Sequence, residues 1–181
     1  MIRPEILEEV DAVLLTGGEI PEVVMFESLS QLESQGILPT LDEMQRLHQA
    51  VFQRYQDIIV RDLDPMNRGA PVFRSPERAR INLARLSAFA ASHSMDMAGF
   101  RSRAADLLQR YLDIEAAEIT AGKSFNTLGM VRPATESLMT ELDIDPAASA
   151  DILARIYAVP TFDWQAVREK SNIPAGPIDP A

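Results

Sequence analysis

The sequence predicts an all-α protein: an irregular or orthogonal bundle of about seven or eight helices, with residues 75–92 as the central helix. Three observations lead there. Aromatic residues make up only 6% of the 181 residues, while Ala, Leu, Met, Glu, Gln and Arg, the good helix formers, are abundant. Apolar residues recur at spacings of three and four, and no convincing run alternates with period two. Helix start and stop signals punctuate the chain: Pro or Ser/Thr/Asp at the starts, Gly at the stops.

Taken in order, residues 4–15 form the first helix, with Pro4 early and Gly17-Gly18 as the stop. Residues 21–35 form the second, with Val23, Phe26, Leu29 and Leu32 as its apolar set and Gly36 as its stop. The short link makes this pair an antiparallel hairpin. Residues 41–63 give the clearest helix: Thr40 caps it, and Glu43 completes a capping box. An irregular basic loop carrying Arg68 and Arg74 follows. Ser75 and Pro76 then open a helix to residue 92 that is apolar on two sides, Ala79, Leu83, Leu86 and Ala90 on one and Ile81, Ala84 and Ala88 on the other. Two apolar sides suit an interior helix, hence the central position. Asp96 caps a helix over 97–120, and a second irregular loop leads to short helices at 133–142, 146–157 and 162–171, the last two with Asp145 and Thr161 as caps. The expected organisation is a main bundle over 1–132, a short-helix subdomain over 133–171 packed on it, and an extended tail over 172–181.

Composition narrows the function classes. The formal net charge is −10, which argues against broad binding to nucleic acid or to anionic membrane. Charge is unevenly spread: residues 1–60 carry 3 basic and 11 acidic groups, residues 61–110 carry 9 and 5, and residues 111–181 carry 5 and 11. Of the 17 basic residues all but Lys123 and Lys170 are Arg, which suits fixed pairs with carboxylate or phosphate. The absence of Cys excludes disulfides, thiolate catalysis and Cys-based metal sites. No stretch reaches membrane-spanning length and the N-terminus lacks the apolar core of a signal peptide, so the cytoplasm is the expected location.

Polar residues on apolar helix faces mark where chemistry can sit. In the 41–63 helix, His48, Tyr55 and Asp62 follow one another at intervals of seven on the side that carries Met44, Leu47, Val51, Phe52, Ile58 and Ile59. In the 97–120 helix, Tyr111, Glu115 and Glu118 lie within the stripe of Phe100, Ala104, Leu107, Leu108 and Ile114. A burial stripe has no use for carboxylates unless they are paired, bind something or outrun the core. If the helices over 41–63, 76–92 and 97–120 run up, down and up, one bundle end gathers Asp62, Asp64, Glu115 and Glu118 with Arg68, Arg74, Arg78 and Lys123. Such a cluster reads as a structural ion-pair network, as an anion or acidic-peptide site built on Arg, or as a carboxylate metal or acid–base site. A di-iron bundle wants Glu-x-x-His on two helices, and Glu115-Ala-Ala-Glu118 supplies the spacing without the His. His48, one turn from Met44 and Phe52, reads as a satisfied core histidine, with no nucleophile evident in the sequence.

Two local motifs bear on function. Residues 117–124 end like a phosphate-binding P-loop, but Ala117 replaces the first Gly and a helix precedes the segment where the motif needs a strand. Residues 153–167 resemble a helix-turn-helix element of bacterial DNA-binding proteins, with Leu153, Ala154, Val159 and Val167 at its apolar positions. The resemblance implies a DNA-reading helix, yet Ala158, Pro160 and Trp164 depart from the pattern. Residues 134–181 hold 3 basic and 8 acidic groups, the wrong sign for phosphate contact.

The expected function is therefore that of a small, non-enzymatic bacterial helical binding or interaction protein. It would engage an anionic ligand or an acidic protein partner through Asp62, Arg68, Arg74, Arg78, Glu115 and Glu118. No catalytic residue, metal or cofactor is assigned, and self-association is left open. A small-ligand enzyme with a buried Glu115 or Glu118 as acid–base is the alternative, and DNA binding through residues 150–170 the third reading.

Overall fold

Helix starts and stops in the structure have local causes that can be read residue by residue. The computed structural model describes residues 2–17, 20–64, 76–122 and 132–158, and the rest of the chain lies outside them. Among the described residues there are seven helices and no strand: α1 (Pro4–Leu15), α2 (Pro21–Ser34), α3 (Leu41–Leu63), α4 (Pro76–Ser92), α5 (Ala98–Thr120), α6 (Arg132–Glu141) and α7 (Pro146–Ala158). The all-α bundle expected from composition and periodicity is what forms. The helix expected at 162–171, its Thr161 cap and the tail at 172–181 fall outside the described residues.

Three helices end with the same six-residue closure. Ile37 N–H donates to the Leu32 carbonyl, Met95 to Ala90 and Ile144 to Met139, at 2.9–3.0 Å. Each closure turns on a left-handed residue: Gly36 at φ 74°, Ser94 at φ 54° and Asp143 at φ 55°. Only the first carries the glycine that makes such a stop legible in sequence. The Thr40–Glu43 capping box forms as expected. Asp96 and Asp145 act at the starts of α5 and α7 by accepting from Ala98 and Ala147 N–H, each at 2.9 Å.

Glu43 also ties two helices together. Its carboxylate accepts from Arg3 Nε at 2.9 Å and from Arg3 Nη2 at 2.6 Å, and Arg3 Nη2 reaches on to the Leu38 carbonyl at 2.8 Å. The guanidinium first, and then the Thr40 N–H, hold the Glu43 carboxyl well below the usual range. At the other end Arg54 donates to the Thr16 carbonyl that follows α1. Two such ties make α1 run alongside α3 in the same direction. Tyr55 donating to Glu22 at 2.8 Å turns α2 the opposite way. Asp62 beside Arg78, with His48 beside His93, makes α4 antiparallel to α3 as well.

One contiguous apolar cluster joins α1 through α7, from Val13 and Met25 through Leu47, Ile59, Leu83 and Leu108 to Leu138 and Ile156. The helix with the most partners is α3, which packs against α1, α2, α4 and α5; α4 packs against α3 and α6. The central place expected for residues 75–92 therefore belongs to α3. The reason lies in the second apolar face of α4: Ile81, Ala84 and Ala88 are exposed rather than covered. In α2, similarly, Pro21, Met25, Ser28 and Leu32 are buried, while Val23 and Phe26 of the expected apolar set are exposed.

Candidate functional site

The site is built where three antiparallel neighbours leave a gutter. α3 forms its floor, and α2 and α4 form its walls. The heptad line of α3 faces this gutter, and each member meets a different partner. His48 stacks on His93, ring centroids 3.9 Å apart, and lies edge-on to Phe89. Tyr55 is fully buried apart from its hydrogen bond to Glu22; burial, and then that bond, push its hydroxyl well above the ordinary range. Asp62 is fully buried between Arg78, Nε 3.9 Å away, and Arg61, Nε 4.0 Å away.

Asp62 is the electrostatic oddity of the molecule. Neither carboxylate oxygen has a hydrogen-bond partner among the described residues. Burial pushes its pKa up, and the guanidinium groups of Arg78 and then Arg61 pull it back only in part. The balance is physical. A unit charge pair at 4 Å gains about 4 kcal/mol at an effective dielectric of about 20. Burying a carboxylate costs several kcal/mol, and long contacts without hydrogen bonds do not offset it.

Beside Asp62 opens a cleft of about 230 Å³, lined by Gly17, Ile20, Ile58, Arg61, Arg78, Ile81, Asn82 and Arg85. Three guanidinium groups and one carboxamide thus border a space floored by Ile58 and Ile81. Arg54 stands close to Arg61, and its pKa is lowered, first by burial and then by that neighbouring cation. A crowd of cations at the start of α4 favours an anion, and the positive end of the helix dipole adds to it. The volume suits one phosphate or carboxylate group with a short stem rather than a drug-sized ligand, which needs about 300 Å³ or more.

A second cleft of about 320 Å³ continues the gutter toward the start of α3, bordered by Met25, Phe26, Leu29, Met44, Phe89 and the two histidines, with Glu22 at the Tyr55 partition. The two clefts share α3 as floor; their nearest lining residues are ten positions apart on α3, His48 and Ile58, about 15 Å, and one turn apart on α4, Arg85 and Ala88.

Of the residues singled out from sequence, the structure brings Asp62 and Arg78 together. Glu115 and Glu118 lie half-buried in the last turns of α5. Neither is without a partner. Neither lines the arginine cleft among the described residues. Arg68 and Arg74 lie outside the described residues. Sequence reasoning overlooked Arg61, Asn82 and Arg85 in this role. A signal for one of them existed: Arg85 lies seven residues after Arg78 on one strip of α4. Among the described residues no group of three His, Asp or Glu is placed to hold a metal ion. No described helix is long and apolar enough to cross a membrane.

Fold and site together define an all-α protein whose helices frame an arginine-lined cleft. Residues 2–144 match the family described as a repeat of unknown function (DUF7826), and the chain belongs to that family. The match stops just before α7 begins. No curated protein matches the chain. No solved structure matches it either.

Proposed function

We propose that this protein is a helical binding module that captures an anionic group, on a small ligand or on an acidic protein partner, in the cleft between α3 and the first half of α4. The observation that carries this reading is the convergence of Arg61, Arg78 and Arg85 with Asn82 on one cleft of about 230 Å³. Three guanidinium groups supply planar, multiply donating contacts to phosphate or carboxylate oxygens. Asp62 acts from behind: fully buried, it cannot touch the ligand, and its oxygen 3.9 Å from Arg78 Nε limits where that guanidinium sits. It is a positioning residue. An acid–base role would need a carboxyl that reaches the cleft, and this one does not.

The test is calorimetric titration of the full chain with inorganic phosphate and with a short Glu-rich peptide. Arg85 is exposed, so replacing it leaves the core intact. Arg85→Ala is expected to weaken binding at least about tenfold, or about 1.4 kcal/mol. Equal affinity in wild type and variant would make the arginine cluster a structural ion-pair site and end the proposal.

A further inference from the structure

The second cleft is chemically unlike the first. Its lining is largely apolar: Met25, Phe26 and Leu29 from α2, Met44 from α3 and Phe89 from α4, with His48 and His93 stacked at one side. Phe26 on its lip is 64% exposed, and Val23 one turn before it is exposed too. Exposed aromatic area beside an open apolar cleft marks a docking surface rather than ordinary surface scatter. Two flexible thioethers let such a surface adapt to the shape of what it receives. The volume, near the lower bound for a small-molecule pocket, accommodates one or two large side chains and not an extended ligand.

Charge decides what docks. Between Arg3 and Arg46 the chain has no Lys or Arg and ten Asp or Glu. That stretch contains all of α1 and α2, the entire α2 wall of the cleft. Arg3 is spent on one of those acids, Glu43, at 2.6 Å. Glu22, Glu27 and Glu33 run along α2 itself. A second copy presenting its own α2 would bring like charge against like, since residues 1–60 carry a net −8. An anionic lipid surface is repelled for the same reason. A basic partner is attracted.

We infer that the cleft between α2 and α4, over Met44 and His48, docks the apolar anchor residues of a basic amphipathic helix from another protein. The helix lays its apolar side on Phe26, Leu29 and Met44, over the buried Met25 and Phe89, and its flanking Lys or Arg residues face the acidic α2 wall. This is the helix-in-groove mode, with affinity from the buried anchors and orientation from the charges. The inference does not depend on the arginine cleft, which selects the opposite charge and is lined by different side chains.

The experiment uses the full chain and two fluorescein-labelled synthetic peptides of about 18 residues, a helix of about 27 Å. Both carry Leu and Phe at positions i, i+3, i+4 and i+7; one has Lys on the flanks, the other Glu. Fluorescence anisotropy should show the Lys peptide binding at least about tenfold more tightly than the Glu peptide, with the preference shrinking as salt rises. Phe26→Ser, at an exposed position that leaves the fold intact, should weaken the Lys peptide by about tenfold or more, as loss of an interface anchor does. Glu27→Gln combined with Glu33→Gln should weaken it less while reducing its salt dependence. Equal binding of the two peptides, or Lys-peptide binding that survives Phe26→Ser, overturns the inference. So does concentration-dependent self-association of the wild type that Phe26→Ser abolishes, which would assign the surface to a second copy. Arg85→Ala, which removes a cation, should not weaken the Lys peptide, and this keeps a failure here separate from a failure of the anion site.

Discussion

The two clefts share α3 as floor and α4 as one wall, yet one is a cluster of guanidinium groups and the other a cluster of rings and thioethers. Both are set on the same heptad line of α3, and His48, Tyr55 and Asp62 are equivalent on a helical wheel. Their environments differ because the facing helices differ. α4 presents Arg78, Asn82 and Arg85 in its first ten residues and Phe89 near its end, with His93 just beyond it. Ile20, just before α2, lines one cleft, and α2 contributes Met25, Phe26 and Leu29 to the other. A polar residue on an apolar stripe therefore announces that something happens there, and the neighbouring helix decides what. Tyr55 and Glu22 mark the boundary between the two chemistries.

The largest expected effect follows from removing that boundary. Tyr55→Ala deletes a fully buried ring and should cost about 3–5 kcal/mol of stability by urea unfolding, as large-to-small changes at buried aromatic positions do. Tyr55→Phe keeps the ring and loses only the bond to Glu22, with an expected cost of about 1 kcal/mol. If Tyr55→Ala left stability unchanged, the partition would have no structural weight.

A double dissociation sharpens the contrast next. Arg85→Ala should weaken phosphate binding without weakening the Lys peptide, and Phe26→Ser the reverse. Should either substitution weaken both probes equally, the clefts are one site.

Smaller effects appear against pH. The Asp62 carboxyl has its folded pKa raised above the ordinary 3.8, by burial more than Arg78 and Arg61 lower it. The folded state then binds the proton more tightly than the unfolded chain. Its contribution to stability is fully present below pH 3.8 and is lost as pH rises through the folded value. Asp62→Asn removes that dependence, so the wild type should lose stability relative to the variant as pH rises above 3.8. A wild type that instead gained stability relative to the variant as pH rose would show that the arginines, not burial, set the carboxyl. For His48 the sign is reversed in origin. Burial and then His93 hold its pKa below 6.5, so the unfolded chain takes up the proton first. Stability is unaffected above pH 6.5 and falls as pH drops from 6.5 through the folded value. His93→Gln removes the neighbouring imidazole and should make this acid-side loss slightly smaller. NMR titration of the His48 ring would check it directly, and an unmoved midpoint would count against coupling between the rings.

Much of the architecture could be read from the chain alone. Composition and spacing predict the all-α class, and the Thr40–Glu43 box, the Pro starts and the Gly36 stop place helix ends correctly because they act within a few residues. The stops at Ser94 and Asp143 escape such reading, because nothing about those residue types demands a left-handed turn. The apolar second face of Ile81, Ala84 and Ala88 also misleads when read alone. It implies an interior helix, whereas Ile81 and Ala88 border the clefts and all three are exposed.

What the sequence by itself determined, then, is everything governed by local rules: helix type, most helix ends, and the fact that the inner side of α3 carries polar side chains. Tertiary structure alone decided which helix is central, which arginines meet, and that Asp62 lies between two of them with no hydrogen-bond partner among the described residues. The physical reason is range. Helix propensity and capping act over a turn or two, whereas a cleft arises from residues such as Gly17, Ile58 and Arg85, far apart in the chain and adjacent only once the helices have chosen their partners.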